Sequence, residues 1–558
     1  MRPLVAFVSG VVAMGTGVDG CRSSGEPADA SPHHVASLAV LEPEGVFAKV
    51  WIRAPDAIWA RLQRGTGGIM ALLPPSAGDL ACALAGIPPA VAPRIRGDAL
   101  AYGLVAFDAD GTAGWVVALP VADEDPASVI ASARDASGPG VRIVGDMYVA
   151  SAGQVGVGAA PGWLLLGGTA DDVARFGPFA YRSMPAESPP ASAASVVALA
   201  TGSALTSLAE RASGQWVQLR RWLEARGREA RERHGGRRPD FGDPETILAA
   251  LDAREGPALA FVGRAARARL DLEVGDDDVR ADWFLTPGQL DPSDSRFVET
   301  MQLVDTSQLG AAPGDTVAAL LDRDDPAAIA DGAQRSEAIV QHIFGDRLSR
   351  ADAHALKQAT LAIAAVRTGS IAAGVSYAPS CGAWLRVAVG PQGASRAFGE
   401  FVTALGRPSF LAFFPESGPG PVRPRAVTVE GLPGARFANY PPAAQGSART
   451  MDGVAWAVSG GELLAGAGPD GAAVLATLAA PGARVADDAR SARMLSALGE
   501  RATFVLFARP LRLDPRRANS PSAPVVLAWG RDGGDMWGRV DVSDVLVSEI
   551  ARLRPRPF

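Results

Sequence analysis

An internal repeat constrains the fold of this chain more than any other feature of its sequence. Short, mostly apolar segments in the first half resemble segments that occur in the same order in the second half. The matched pairs are Val46–Ile58 with Val317–Ile329, Ala101–Val105 with Ala372–Ser376, Trp115–Leu119 with Trp384–Ala388, Gly162–Gly167 with Gly461–Gly466, Ser195–Ala200 with Thr503–Ala508, and Pro257–Arg264 with Pro524–Arg531. Chance similarity in a chain rich in Ala, Val and Leu is the alternative, but the shared order favours two copies of one structural unit.

The repeat sets the expected domain boundaries. We expect a first repeat over residues 46–275 with a helical insertion at about 202–255, a connector over 276–315, a second repeat over 316–545 and a tail over 546–558. A chain of 558 residues is long enough for several domains, and its apolar content of 48% suits domains with hydrophobic cores.

Each repeat is predicted to be α+β. Most matched segments are apolar runs bounded by Gly, Asp or Pro, as is typical of strands. An Asp-Gly pair at 110–111 predicts a hairpin, and residues 146–166 predict a strand meander. Thr169 is placed to cap a helix after that meander, and a similar helix is expected over 469–478. The predicted fold is therefore two related α+β domains, each a largely antiparallel sheet with helices packed on one face.

Two longer helical stretches lie outside this pattern. Residues 333–366 predict two helices that are interrupted near 345–349, and residues 204–233 predict a helix with Trp216, Leu219 and Leu223 on one side. The most basic part of the sequence follows, with Arg226, Arg228, Arg231, Arg233, Arg237 and Arg238. These arginines could contact anionic lipid, polysaccharide or an acidic partner. The alternative is a solvent-exposed helix stabilised by pairs four residues apart, such as Glu224 with Arg228.

The N-terminus has the organisation of a secretory signal peptide, predicted over residues 1–20. Arg2 precedes the apolar run Leu4–Met14, which is too short to span a bilayer. No later apolar run is long enough for a second span. The following residues, Val18-Asp19-Gly20-Cys21, resemble the lipobox of bacterial lipoproteins, although Asp19 departs from the small or apolar residue usual there. The resemblance implies that Cys21 becomes the lipidated N-terminus. A signal peptide cut elsewhere and an uncleaved N-terminal anchor are the alternatives.

Residues 21–45 are predicted to be a flexible tether, because they begin with a small, polar, Pro-containing stretch. Under the lipoprotein resemblance, Arg22 in place of an aspartate favours the outer membrane, facing the periplasm or the exterior. Lysine occurs only at Lys49 and Lys357, while Ala, Gly and Pro are abundant. This bias is typical of a bacterium with a GC-rich genome.

No recognisable catalytic, cofactor or metal motif occurs. The sequence lacks G-x-S-x-G, H-E-x-x-H, C-x-x-C and P-loop patterns and has five histidines. Acidic runs at 276–278 and 322–325 lack the ligand spacing of a calcium loop and are interpreted as solvated turns. The net charge of −7 disfavours nucleic-acid binding. We expect no metal and no cofactor, and we favour a protein that is not an enzyme.

Two cysteines remain once Cys21 is assigned to a lipid. An oxidising compartment would allow a disulfide between Cys82 and Cys381. The alternative is two small buried side chains. The sequence does not give the separation of their Cα atoms, on which a disulfide depends.

These observations favour a membrane-anchored envelope lipoprotein that binds or scaffolds an envelope protein or polysaccharide. A hydrolase of envelope polymers, with its site between the repeats, is one alternative. A carrier of lipid or another apolar cargo is the other. Apart from its N-terminus, the chain resembles only duplicated exported bacterial proteins of unknown function.

Overall fold

The computed structural model describes residues 39–66, 74–107, 112–122, 125–133, 140–152, 155–233, 260–289, 292, 295, 298–299, 301–323, 329, 348–377, 382–411, 422–440, 453–514, 517, 520–546 and 549. Helices and antiparallel strands both occur throughout these ranges, which confirms the predicted α+β class. The described residues within 1–208, 263–289 and 541–558 form a first compact unit, and those within 209–262 and 290–540 form a second.

The first ten strands pair in the order β4-β5-β6-β7-β3-β2-β1-β8-β9-β10. These strands are β1 (Val46–Ile52), β2 (Ala101–Phe107), β3 (Ala113–Pro120), β4 (Arg142–Val144), β5 (Met147–Ala152), β6 (Val155–Ala160), β7 (Trp163–Gly167), β8 (Val196–Thr201), β9 (Ala265–Val274) and β10 (Asp278–Pro287). The predicted hairpin joins β2 to β3, and the predicted meander is β5, β6 and β7.

The next ten strands pair in the corresponding order, β14-β15-β16-β17-β13-β12-β11-β18-β19-β20. They are β11 (Thr316–Asp322), β12 (Arg367–Ser376), β13 (Gly382–Val389), β14 (Pro424–Ala426), β15 (Arg436–Asn439), β16 (Gly453–Ser459), β17 (Glu462–Gly468), β18 (Ala502–Ala508), β19 (Val525–Asp532) and β20 (Asp535–Ser543). Even a register shift recurs, between Val46 and Ala48 in one set and between Thr316 and Ala318 in the other.

The registers show which predicted segment matches occupy equivalent positions. Ala48 pairs with Ala200, and Ala318 pairs with Ala508, so the match of Ser195–Ala200 with Thr503–Ala508 is in register. The match of Trp115 with Trp384 is displaced by one residue, because Val105 pairs with Trp115 whereas Val375 pairs with Ala383. A shift of one residue moves a side chain to the opposite face of a sheet.

The last predicted match is wrong. Residues 260–263, within Pro257–Arg264, are helical, and the equivalent of β19 is β9, which begins at Ala265. A short apolar run does not distinguish a strand from a buried helical turn, which explains the error. The first set of strands also continues to Pro287 through β10, so its last strand lies inside the predicted 276–315 connector.

Within the described residues, the helices with defined bounds are α1 (Pro55–Thr66), α2 (Ala77–Ala85), α3 (Pro126–Ala133), α4 (Ala170–Arg182), α5 (Gly202–Arg233), α6 (Ser307–Gly310), α7 (Arg350–Val366), α8 (Ala394–Leu405), α9 (Pro408–Leu411), α10 (Gly471–Ala479) and α11 (Ala489–Ser496). Thr169 caps α4 as predicted, because its hydroxyl accepts the N–H of Asp172 at 3.0 Å. Asp470 caps α10 in the same way. Of the two helices predicted in 333–366, the first lies outside the described residues.

Helices cover both faces of the first unit's sheet, which corrects the prediction of a single covered face. Helix α4 packs on a cluster that includes Trp51, Leu165 and Phe176. On the opposite face, α2 and α3 pack on a cluster that includes Leu119 and Leu164. Strand β7 is buried along its whole length, so it has no solvent-facing side that could remain uncovered.

The second unit has the same layers over part of its sheet. Helices α7 and α8 cover a cluster that includes Val387, Phe398 and Trp456. Helix α10 packs against β13, β16 and β17. On β11 and β18, the side chains on one face are buried and apolar side chains on the other face are exposed. The exposed face is the candidate site.

Candidate functional site

The predicted lipidation site, Cys21, lies outside the described residues. The described chain does correct the end of the predicted tether. Val40 donates its N–H to the Ser183 hydroxyl at 2.8 Å, and its carbonyl accepts from the same hydroxyl at 2.7 Å. Glu42 lies 2.7 Å from the ammonium group of Lys49. The last residues of the 21–45 segment therefore belong to the folded first unit.

Cys82 lies on α2 within the core of the first unit, and it is a free cysteine. Cys381, the other cysteine of the possible disulfide, lies outside the described residues. Burial, with a smaller contribution from Asp79, raises the pKa of the Cys82 thiol to about 11. Cys82 thus acts as a small core residue and is poorly suited to nucleophilic chemistry.

The predicted basic stretch lies partly on α5. Arg226 and Arg228 are exposed there, Arg231 and Arg233 belong to the last turn of the helix, and Arg237 and Arg238 lie outside the described residues. The guanidinium of Arg226 lies 3.7 Å from Glu229 and over the ring of Trp222.

The predicted pairing of Glu224 with Arg228 is replaced by a pair with Arg220 at 2.8 Å. Both pairs join residues four apart, so the sequence spacing alone does not choose between them. The helix therefore carries its own acidic partners, as the alternative interpretation expected.

Carboxylates of the first unit form a charge-balanced network on β9 and β10. Asp271 pairs in register with Asp282, and Arg269 lies 3.1 Å from Asp271. Arg280 lies 3.6 Å from Asp282. Burial raises the pKa of Asp271, although Ser192 and Arg269 oppose that shift. Each acid faces an arginine, so the charges of this network balance.

The described residues of the two acidic runs do not form a metal site. Asp276 lies at the turn between β9 and β10, where its carboxylate accepts from Arg64 at 2.9 Å. Asp322 belongs to β11, and residues 324–325 lie outside the described residues. Within the described ranges, no three His, Cys, Asp or Glu side chains gather as metal ligands would.

Helix α1 covers one part of the first unit's sheet. Ile58 of α1 packs on Val50, Ala198 and Leu272, which are 7%, 6% and 8% exposed. Val50 pairs with Ala198 across β1 and β8, so these side chains share one face. Arg64, at the end of α1, forms the ion pair with Asp276 described above.

The equivalent residues of the second unit are more exposed. Register equivalence relates Val50 to Leu320, Ala198 to Leu506 and Leu272 to Trp529. The second-unit residues are 38%, 40% and 38% exposed. Apolar side chains that a helix buries in the first unit therefore face solvent in the second.

These residues form one apolar surface, which we call the open face. It comprises Leu320, Val375, Phe504, Leu506, Leu527 and Trp529. Strand pairing joins Leu320 to Leu506, Leu506 to Leu527, and Phe504 to Trp529. The rings of Phe504 and Trp529 stack with centroids 3.8 Å apart. The surface is therefore continuous across neighbouring strands and held by a regular sheet.

Sequence reasoning missed the open face, although the chain carries a signal for it. The opposite face of β18 is fully buried at Val505 and Phe507, so apolar residues occupy both alternating sets of positions. Such a strand predicts burial on two sides.

A second apolar surface lies on α5. Trp216, Leu219, Trp222 and Leu223 follow helical spacing, and we call this set the α5 stripe. Leu219 is 45% exposed and Trp222 is 55% exposed. The prediction that Trp216, Leu219 and Leu223 share a side of the helix is consistent with this stripe, and Trp222 extends it.

An open groove of about 980 Å³ lies beside α7 and α8. Small residues such as Ala359 and Gly399 line much of it, and its charged residues include Arg396, Glu400 and Arg407. Arg396 and Arg407 are engaged by Glu400 and Asp352. The groove therefore presents no distinctive chemistry.

Comparison with known proteins gives little further guidance. No protein-family model matches the chain, and no curated protein matches it. Three solved structures of TP0453 show weak similarity, each with a TM-score of 0.22. Their sequence identities are 9%, 12% and 10%; the matches cover 44%, 47% and 48% of this chain and 81%, 86% and 90% of theirs. This degree of similarity indicates neither fold nor function. Among the described residues, no helix has the length and apolar character needed to cross a bilayer.

Proposed function

We propose that this protein is an envelope lipoprotein that acts by binding a partner through the open face of its second unit, without a catalytic role. The observation that carries the proposal is the exposure of Leu320, Leu506 and Trp529 at positions whose first-unit equivalents lie beneath α1. A contiguous apolar surface that remains exposed on a folded unit is characteristic of an interaction site.

The N-terminal sequence supports a location in the envelope. Arg2, the apolar run Leu4–Met14 and the lipobox-like Val18–Cys21 favour export followed by lipidation of Cys21. Each buried acyl methylene contributes about 0.8 kcal/mol, so more than one chain on Cys21 would give a persistent anchor. An anchored protein presents its binding surface at the membrane, which suits a scaffolding role.

The two alternative functions receive less support. A hydrolase needs a nucleophile or a paired acid and base, whereas the facing carboxylates Asp271 and Asp282 each have an arginine partner. A carrier of apolar cargo would also use an exposed apolar surface, but the open face is a sheet surface and not an enclosed cavity. Analysis of lipids extracted from the purified protein distinguishes a carrier, because a carrier would retain a stoichiometric cargo.

Site-specific photo-crosslinking in cells tests the binding role. A photoreactive phenylalanine analogue replaces Leu506 in the open face, and in a matched variant it replaces Ile143, an exposed apolar residue on β4 of the first unit. We expect crosslinks to another polypeptide from position 506 and none from position 143. Equal crosslinking from the two positions, or none from 506, would contradict binding through this surface.

Metabolic labelling with a clickable fatty acid tests the anchor separately. We expect the wild-type chain to incorporate label and to sediment with membranes. Cys21→Ser should lose both properties while the described units remain folded. An unlabelled wild-type protein would overturn lipidation but would leave the crosslinking result intact.

A further inference from the structure

We infer that residues Ala39–Gly45, which we call the strap, are a releasable extension of the tether. The docked strap holds the first unit close to the lipid anchor, and the detached strap lengthens the connection between them. This inference rests on the proposed lipidation of Cys21 and assigns a conformational role to residues that follow it. The open face takes no part in it.

Polar contacts hold the strap on the first unit. The N–H of Val40 donates to the Ser183 hydroxyl at 2.8 Å, and the same hydroxyl donates to the Val40 carbonyl at 2.7 Å. The carboxylate of Glu42 lies 2.7 Å from the ammonium group of Lys49. Leu41 is 90% exposed, so its side chain adds almost no apolar burial. Water and ions can therefore replace most of what holds the strap.

Gly45 is the hinge at which release would stop. Its φ is +84°, a conformation that glycine adopts without strain, and a Cβ at this position would meet the carbonyl oxygen of Phe107. The Gly45 carbonyl accepts the N–H of Phe107 at 2.9 Å. Strand β1 begins at the next residue and pairs with β2 and β8. The chain is thus fixed after Gly45 and lightly attached before it.

Release leaves neither Lys49 nor Ser183 buried without a partner. Lys49 also donates to the two carboxylate oxygens of Glu187, at 2.8 and 3.0 Å, and lies over the ring of Phe179. These contacts remain when Glu42 leaves. The Ser183 hydroxyl exchanges Val40 for water. Because an unpaired buried group is what makes separation of polar partners costly, detachment of the strap avoids the main penalty.

The equivalent segment of the second unit has the opposite character. Residues 309–315 precede β11 as the strap precedes β1. Leu309 and Ala312 are fully buried, and the N–H of Gly314 donates to the carbonyl of Ala483 at 2.8 Å. This position of the repeat can therefore hold a segment packed into its unit. In the first unit the same position holds one that lies on the surface.

Ionic strength should affect the strap more than pH does. Burial opposes the charge of Lys49, but its hydrogen bonds to Glu187 and Glu42 outweigh that effect and raise the pKa of Lys49. Lys49 therefore stays charged throughout the neutral range. The Glu42 side chain is 40% exposed, so dissolved ions screen its attraction to Lys49.

Detachment changes how far the anchored protein reaches. The seven residues of the strap span at most about 25 Å when extended. Release inserts this length between the anchor and the first unit. A longer connection enlarges the volume in which an anchored protein meets its partner and lowers the effective concentration at any one point.

Hydrogen exchange of the full-length protein, measured by mass spectrometry, tests release. Ser183→Ala combined with Glu42→Gln should speed exchange of the strap by about tenfold, because the two changes remove its side-chain attachments. Exchange of β1 should not change. Glu44→Gln is the matched control, since the strap contact of Glu44 is made by its carbonyl, which accepts from Arg175 at 2.9 Å. Addition of 1 M NaCl (about a 3 Å screening length) should speed exchange of the wild-type strap.

Fluorescence energy transfer from a headgroup dye measures reach on liposomes. The second dye is attached through Ile143→Cys, because Ile143 is 65% exposed whereas Cys82 is buried. Cys381→Ser in every protein restricts labelling to this position. Transfer should fall in the Ser183→Ala, Glu42→Gln protein and should be unchanged in the Glu44→Gln protein.

Each outcome decides the inference. Faster strap exchange with lower transfer and an unchanged Tm supports it. Unchanged exchange, or faster exchange without a change in transfer, overturns it. A lower Tm that accompanies faster exchange would show that the strap is an integral part of the first unit, which also overturns it. Failure of Cys21 to incorporate fatty acid would refute the anchor and the effect on reach, and it is recognised separately because strap exchange is measured without lipid.

Discussion

Equivalent substitutions at Ala198 and Leu506 should differ strongly in their effect on stability. Both residues occupy the same position in the shared strand order, but Ala198 lies beneath α1 and Leu506 is 40% exposed. Ala198→Gln inserts a larger side chain into a packed core, which costs about 1–3 kcal/mol. An amide buried there without a hydrogen-bond partner adds about 1–3 kcal/mol. The expected loss is therefore roughly 2–6 kcal/mol.

Leu506→Gln should cost less. Complete burial of a leucine side chain contributes about 1.5–3 kcal/mol, and Leu506 is only partly buried. The aliphatic stem of glutamine retains some of that contact, and its amide remains in solvent. We expect a loss below about 2 kcal/mol.

Urea and thermal unfolding of the two variants measure this difference. Each kcal/mol corresponds to about 2–4 °C in Tm for a unit of this size. Equal destabilisation by the two substitutions would show that Leu506 is covered as completely as Ala198. That result would refute the open face and the proposals built on it.

Three further predictions concern the described units. Cys82 should resist alkylation at pH 8 until the protein unfolds, because burial raises the pKa of its thiol to about 11; peptide mapping after iodoacetamide treatment would contradict this by finding rapid modification of the folded protein. Thr169→Ala should lower the free energy of unfolding by about 1 kcal/mol through loss of the α4 cap, whereas Thr169→Ser should retain most of the cap's contribution. Equal urea midpoints for wild type and Thr169→Ala would count against the cap. Burial opposes ionisation of Asp352, but hydrogen bonds from Ser409 and Arg407 outweigh it and lower the pKa of Asp352. The contribution of the Asp352 carboxylate to folding stability is therefore present above the unfolded pKa and is lost as pH falls through the folded pKa. The destabilisation by Asp352→Ala should shrink below about pH 4, and a pH-independent effect would argue against the ion pair with Arg407.

Much of the fold is accessible from local sequence patterns. The antiparallel strands, the meander before Thr169 and the caps of α4 and α10 follow from apolar runs, turn residues and capping side chains. Prediction from local composition fails where packing decides between a helix and a strand. Residues 260–263 resemble a strand in composition but are helical, and β9 begins only at Ala265, since a short apolar run suits a buried helical turn as well as a strand.

The candidate site required structural information that the sequence does not contain. Leu506 and Ala198 occur in similar apolar strands, yet one is exposed and the other is covered. Their difference depends on where α1 packs, and α1 is distant in sequence from β8. Registers also depend on the length of the connection between strands: Val105 pairs with Trp115, ten residues later, whereas Val375 pairs with Ala383, eight residues later, and this difference displaces the predicted match of Trp115 with Trp384 by one residue.

The contrast between the two units suggests how a repeated sheet acquires a binding surface. In the second unit, Val505 and Phe507 are buried on one face of β18. The other face carries Leu506 and the rest of the open face. A strand with apolar residues on both faces needs two covering layers. In the first unit α1 supplies one of these layers, whereas at the equivalent positions of the second unit Leu320, Leu506 and Trp529 are 38%, 40% and 38% exposed. A partner that binds the open face would supply the second layer there, so binding and burial of these side chains would be the same event.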